Sequence, residues 1–223
     1  MAHSIKFIAL VALTLAVSSI RTASAGQIVG FNWHSGVASL AATTIAPLVA
    51  PNNDNVAGLS PNEAFITQKN YFAIGPVDLT FDVAPSGGTT EYAFKEGVFN
   101  GTGLAWFGYH LELGYGFDAT YVKSTLGDGL DFDAPDYDSG LQFAPPPGSY
   151  FPVAAATTED DIVAGGGIMP NGGFAGYFRF SVDVPDGITQ FTIRQSPIGV
   201  PEPASAALVS VGLIALINRR QRK

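Results

Sequence analysis

Residues 178–194 read FRFSVDVPDGITQFTIR, and this stretch carries the clearest structural pattern in the chain. Apolar and polar side chains alternate on both sides of its Pro185-Asp186-Gly187 turn, which is typical of two β-strands joined as a hairpin. Residues 77–83 (VDLTFDV) show the same alternation. They run through the turn residues 85–88 into residues 89–99, which we interpret as their hairpin partner.

Residues 104–113 are a further predicted strand, and their alternation separates two faces. One face is expected to carry Phe107, Tyr109, Leu111 and Leu113. The other is expected to carry Trp106, Gly108, His110 and Glu112. Because a zinc site normally takes at least three protein ligands, His110 and Glu112 would need a further one. We therefore interpret them as part of the surface of a strand.

The composition agrees with a chain built from strands. It is 47% hydrophobic and only 13% charged, with 26 Gly and 15 Pro. Residues 37–49 and 63–74 have no decisive period, and residues 26–203 contain no convincing amphipathic helix pattern. The sequence predicts an all-β fold, an antiparallel β-sandwich or jelly-roll-like single domain at residues 26–199.

The first 25 residues have the features of a secretory signal peptide. Lys6 precedes an apolar run at residues 7–17, which is shorter than the roughly 20 residues that span a membrane. Small residues follow and end in Ala23-Ser24-Ala25, the pattern that a signal peptidase cleaves. We expect signal peptidase to act here and Gly26 to be the first mature residue.

Residues 200–223 hold three features in order. These are the triplet Pro201-Glu202-Pro203, an apolar segment at residues 204–217, and a basic end that includes Arg219 and Arg220. This arrangement resembles the PEP-CTERM sorting tail. The resemblance implies that an exosortase-type enzyme recognises the triplet and removes a hydrophobic helix that holds the precursor transiently in the inner membrane. It also implies a cell-surface or extracellular-matrix location and an organism that makes exopolysaccharide, a possible partner.

The charge between the two ends is strongly negative. Residues 26–203 contain all 19 acidic residues but only 5 basic ones, a net charge of −14. Such a surface repels nucleic acid and attracts divalent cations or basic partners. The chain has no Cys, which excludes thiol catalysis and Cys-ligated zinc.

An acidic segment at residues 127–140 is a candidate calcium site. Its carboxylates are Asp128, Asp131, Asp133, Asp136 and Asp138. Calcium binds six to eight hard oxygen ligands on flexible loops, which this segment can supply. The alternative is a solvated acidic loop. The second acidic cluster, Glu159-Asp160-Asp161, either completes such a site or forms an exposed turn.

No catalytic residues are predicted. The chain lacks a G-x-S-x-G motif, and its many carboxylates make chance pairs unavoidable. The preferred interpretation is a non-enzymatic exported surface protein. The first alternative is a calcium-dependent carbohydrate-binding or adhesive module, with Trp33, Trp106, Tyr137 and Tyr150 as candidate stacking rings. The second alternative is an extracellular hydrolase.

Overall fold

The structure is a computed structural model that describes residues 26–45, 62–85, 90–132, 150–151 and 153–199. The predicted signal peptide, the sorting tail and residues 133–149, which include most of the acidic segment, lie outside the described residues. Thirteen strands and one short 3-10 turn, Asp118–Thr120, make up the regular structure of the described part. The strands are β1 Gly26–His34, β2 Ala38–Leu40, β3 Thr43–Ile45, β4 Asn62–Tyr71, β5 Val77–Pro85, β6 Thr90–Asn100, β7 Trp106–Tyr115, β8 Val122–Lys123, β9 Asp131–Phe132, β10 Val153–Thr158, β11 Asp161–Gly165, β12 Phe174–Val184 and β13 Gln190–Gly199.

The strands form two sheets around one core. The first sheet has the order β1-β5-β13-β7-β11-β10, with β8 paired to β7. The second has the order β2-β4-β6-β12-β9, with β3 paired to β4. In the described residues the prediction of an all-β domain with antiparallel sheets is confirmed, with one exception: β4 runs parallel to β6.

Both predicted hairpins are wrong. β5 pairs with β1 and β13 in the first sheet, whereas β6 pairs with β4 and β12 in the second. In the same way β12 belongs to the second sheet and β13 to the first. Alternation shows that one face of a strand is buried, but strands on opposite sides of a core share that pattern. Each turn therefore crosses from one sheet to the other.

Aromatic rings from both sheets fill the core. In the first sheet Phe81 stacks on Phe191 with ring centroids 4.9 Å apart. In the second sheet Phe94 stacks on Phe180 at 5.2 Å. Phe81 also meets Phe94 edge-on at 5.4 Å, which joins the two stacks across the interior. Aromatic pairs of this kind contribute about 0.5–1.5 kcal/mol beyond the area that they bury.

A β-bulge changes the predicted faces of β7. Gly108 pairs with Ile198, but the next pair is Trp106 with Gly199, so Phe107 is an extra residue in its strand. Such an insertion reverses the alternation. Trp106 is therefore fully buried and Phe107 is 41% exposed, the opposite of the expected placement. Tyr109, Leu111 and Leu113 are buried as predicted.

A second bulge lies in β4 and turns a lysine inward. Ile66 pairs with Glu96, whereas the next pair is Lys69 with Val98, which leaves one extra residue in β4. Burial accordingly shifts from Ala64 and Ile66 to Lys69 and Tyr71. The Lys69 side chain is fully buried and forms an ion pair with the equally buried Glu96.

Candidate functional site

Asp128 from the predicted calcium segment closes a turn of its own chain. Its carboxylate accepts hydrogen bonds from the Tyr115 hydroxyl at 2.9 Å, the Ser124 hydroxyl at 2.7 Å and the Leu130 amide at 3.0 Å. Burial raises the pKa of this carboxyl, but the hydrogen bonds outweigh burial and hold the pKa below its ordinary value of 3.8. This geometry gives Asp128 a structural role.

The other predicted calcium ligands are not brought together in the described part of the chain. Asp131 lies in β9, opposite Asp183 of β12. Asp133, Asp136 and Asp138 lie outside the described residues. The calcium site at this segment therefore stays a prediction.

One group of side chains in the described residues does have the spacing of metal ligands. One ligand atom each of His110, Glu112 and Asp161 lies within 4.8 Å of the others. β7 and β11 are neighbours, and Asp161 is directly opposite Glu112 in their register. The His110 Nε2 atom is 2.6 Å from Asp161 Oδ1. Asp161 is thus the third residue that the sequence pattern of β7 lacked.

The second predicted acidic cluster divides: Glu159 is exposed in a turn as expected, whereas Asp160 and Asp161 contact β7. Asp160 is only 6% exposed, and its carbonyl oxygen accepts a hydrogen bond from the Leu113 amide at 3.0 Å. The sequence contained a usable clue, because His110 and Glu112 alternate on one strand. Only the order of the strands shows that residues 160–161 lie beside them.

Lys123 supplies a cation to this cluster. It lies on β8, which pairs with the end of β7, and its ammonium contacts the Asp161 carboxylate. It is also 3.7 Å from an Asp160 oxygen and 3.9 Å from a Glu112 oxygen. Burial lowers the pKa of Lys123, but these carboxylates outweigh burial and raise it. The described arrangement is an ion-pair network, and a metal ion would have to displace Lys123.

Further charges extend across the same sheet. Arg194 of β13 lies opposite Glu112 on one side and Asp78 of β5 on the other. Its guanidinium donates two hydrogen bonds to the Asp78 carboxylate, from Nε to Oδ1 at 2.7 Å and from Nη2 to Oδ2 at 2.8 Å. The guanidinium carbon Cζ lies 3.8 Å from the centroid of the Tyr121 ring. The Asp118 amide also donates to Asp78 at 2.6 Å. These contacts hold the 3-10 turn against the sheet.

One of the four candidate sugar-stacking rings is fully buried. Trp106 is fully buried, and its ring nitrogen donates to the Thr102 hydroxyl at 3.0 Å. Trp33 and Tyr150 are partly buried and pack against the core. Tyr137 lies outside the described residues. Because Trp106 is buried, it cannot stack on a sugar, and the carbohydrate-binding alternative loses one of its candidate residues.

Some exposed apolar side chains of the described residues lie at one end of the two sheets, which we call the apolar end. They are Phe72, Ile74, Leu104, Phe107 and Ile168, with exposed fractions between 39% and 62%. The loops that carry them are joined by a hydrogen bond from the Gly101 amide to the Tyr71 carbonyl at 2.7 Å and by the pairing of Trp106 with Met169. Ile74 lies against Gly199, where β13 ends at this same end. Other apolar side chains, Phe117, Val122 and Leu126, are exposed by 39–68% where β7 ends.

Within the described residues, none of the helical structure has the length and apolar character needed to cross a bilayer. The predicted apolar helix at residues 204–217 lies outside them. Comparison with known proteins finds no matching protein-family model, no matching curated protein and no matching solved structure.

Proposed function

We propose that the chain is the precursor of an exported, non-enzymatic protein of the cell surface or extracellular matrix. Signal peptidase would cut after Ala25, and an exosortase-type enzyme would act at Pro201-Glu202-Pro203. The observation that carries the proposal is the order of features at residues 200–223: the triplet, the apolar segment and the basic end. Their resemblance to a PEP-CTERM tail supplies the sorting route.

The first and last described strands lie between the two expected cuts. β1 begins at Gly26, directly after the expected signal-peptide cut, and its first residue pairs with Pro85. β13 ends at Gly199, just before the triplet.

In the proposed precursor, the apolar end is the side of the domain that lies nearest the membrane. Exposed apolar patches on a protein surface commonly mark contacts with partners or membranes. Because β13 ends beside Ile74, a membrane-bound tail that follows Gly199 leaves the chain at this end. In the precursor the apolar end then faces the bilayer, and release of the tail frees the domain.

The finer architecture that we infer is a jelly-roll-like sandwich. The connections from β5 to β6 and from β12 to β13 cross between the sheets, as they do in sandwiches of that class. Such a closed scaffold suits a structural protein. Exopolysaccharide as its extracellular partner stays a prediction from the resemblance.

Processing of two variants tests the proposal. Glu202→Gln and a deletion of residues 219–223 are each expected to leave a longer, unprocessed form in the membrane fraction. The first variant alters the triplet that the enzyme recognises, and the second removes the basic end of the tail. Immunoblots of membrane and extracellular fractions measure this. The control is Glu159→Gln, which changes an exposed acid of the domain and should be processed normally. Normal processing of both tail variants would contradict the proposal.

A further inference from the structure

Three reactive side chains meet in the interior between the sheets. Lys69 and Glu96 come from β4 and β6 of the second sheet, and Gln195 comes from β13 of the first. All three are fully buried. Lys69 Nζ donates to Glu96 Oε2 and to Gln195 Oε1. Gln195 Nε2 donates to the two Glu96 oxygens at 2.9 and 2.8 Å. An amine, a carboxamide and a carboxylate thus contact one another in a site closed to bulk water.

A tyrosine completes this group. The Tyr109 hydroxyl donates to Gln195 Oε1 at 2.7 Å and lies 2.9 Å from the Tyr71 hydroxyl. Burial raises the pKa of Tyr109 well above its usual range, so this hydroxyl keeps its proton and remains a donor. A fixed donor on a carbonyl oxygen stabilises the negative charge that forms there during acyl transfer.

A purely structural role explains this group poorly. Removing a lysine and a glutamate from water is expensive, and an apolar pair of similar volume commonly serves stability equally well. Burial lowers the pKa of Lys69, although Glu96 acts in the opposite direction. A lowered pKa favours the neutral amine of a lysine, and the neutral amine is the form that acts as a nucleophile.

We propose that Lys69 and Gln195 react to form an intramolecular isopeptide bond that joins the two sheets, with Glu96 as the proton carrier and Tyr109 as the oxyanion donor. This cross-link does not rest on the proposed export. The chain has no Cys and so no disulfide, and this bond would be a covalent cross-link between residues 126 positions apart.

The step balances without any further reactant. Glu96 accepts one proton from the Lys69 ammonium, and the neutral amine attacks the Gln195 side-chain carbonyl carbon. A C–N bond forms, and the carbonyl electron pair moves to Oε1, which Tyr109 stabilises. Glu96 passes its proton to Nε2 and takes one from Nζ. The bond from carbon to Nε2 then breaks, ammonia leaves, the carbonyl re-forms, and Glu96 remains protonated.

Peptide mapping of the full chain by mass spectrometry tests the proposal. Trypsin cuts after Arg194, so a cross-linked chain yields a branched peptide that starts at Gln195 on one arm and contains an uncleaved Lys69 on the other. Its mass is lower than the sum of the two arms by one ammonia. Fragment ions that join the arms distinguish it from the loss of one ammonia that occurs when an N-terminal Gln195 cyclises to pyroglutamate. Linear peptides that end at Lys69 and begin at Gln195, from folded protein, would overturn the proposal.

Two variants assign the roles. Glu96→Gln keeps the size of the side chain but not its proton transfer, so the link is expected to form about a hundredfold more slowly. The matched control is Glu63→Gln, which alters the exposed Lys95–Glu63 pair on the same two strands and should leave the link unchanged. A folded Glu96→Gln chain that cross-links at the wild-type rate would overturn the assignment of Glu96.

Discussion

At the scale of single residues, Asp78 and Arg194 form a bidentate charge pair. Asp78 is 2% exposed and receives both arms of the guanidinium as well as the Asp118 amide. The alternation in β5 places Asp78 away from the core, so the sequence predicts a solvated carboxylate. The residues that cover it belong to the 3-10 turn and to β13, and only the tertiary structure shows them.

Loss of that carboxylate charge should therefore be costly. Asp78→Asn is expected to lower the free energy of unfolding by about 3 kcal/mol, because it leaves the guanidinium without its ionic partner. Urea unfolding followed by tryptophan fluorescence measures the change. Glu63→Gln, at an exposed pair, is the control and should cost less than about 1 kcal/mol. Equal effects of the two substitutions would refute this ranking.

The low pKa values of Asp128 and Asp161 predict a loss of stability in acid. Each carboxyl has a pKa below 3.8 in the folded chain, so its contribution is present above the unfolded pKa and is lost as pH falls through the folded value. Melting temperatures measured from pH 6 down to pH 2 should therefore fall most steeply below about pH 4. Asp128→Asn should flatten part of this fall, and an unchanged profile would contradict the role given to its hydrogen bonds.

The acidic segment at residues 127–140 makes a separate prediction about calcium. If its carboxylates bind the ion, calcium should raise the melting temperature relative to a chelator, because a ligand of the folded state stabilises it. Asp131→Asn should reduce that shift. The control is Asp82→Asn, a substitution in β5 away from this segment. An identical melting temperature with calcium and with chelator would remove the calcium site.

At the scale of strands, two bulges explain two of the differences from the sequence prediction. In β4 the inward residues Ala64 and Ile66 are followed by Lys69 and Tyr71, so a break in the period hid the strand. In β7 the extra residue Phe107 reversed the placement of Trp106 and Phe107, while the rest of the strand kept its predicted faces. Regular strands such as β5 were predicted well, because nothing interrupts their alternation. Period alone does not report which sheet a strand joins.

The β4 bulge also constrains the strand beside it. A Cβ atom at Gly97 would lie 2.6 Å from the Thr67 carbonyl oxygen, which belongs to the bulged segment. Gly97→Ala should therefore lower the free energy of unfolding by about 1–3 kcal/mol. Gly36→Ala is the control, because a Cβ there meets no atom within 4 Å. Chemical denaturation of both variants measures the difference, and a neutral Gly97→Ala would contradict the bulge.

At the scale of the whole molecule, the sequence predicted the fold class but not the strand order. Composition and alternation indicate an all-β chain, because strands that bury one face share that pattern. The pairing of β4 with β6 and the meeting of His110 with Asp161 depend on long-range topology. The buried Lys69 was not predicted either, because a lysine in an ambiguous segment gives no sign that it lies inside.

The central claim concerns what happens to the two ends of the chain. Both expected cuts fall outside β1 and β13, so the processed protein keeps every described strand. The most direct measurement is mass spectrometry of the terminal peptides of the protein recovered from the extracellular or surface fraction of cells that produce it. The account predicts a chain that begins at Gly26 and lacks residues 204–223. Recovery of a chain that still carries both ends, or its retention in the cytoplasm, would contradict the account.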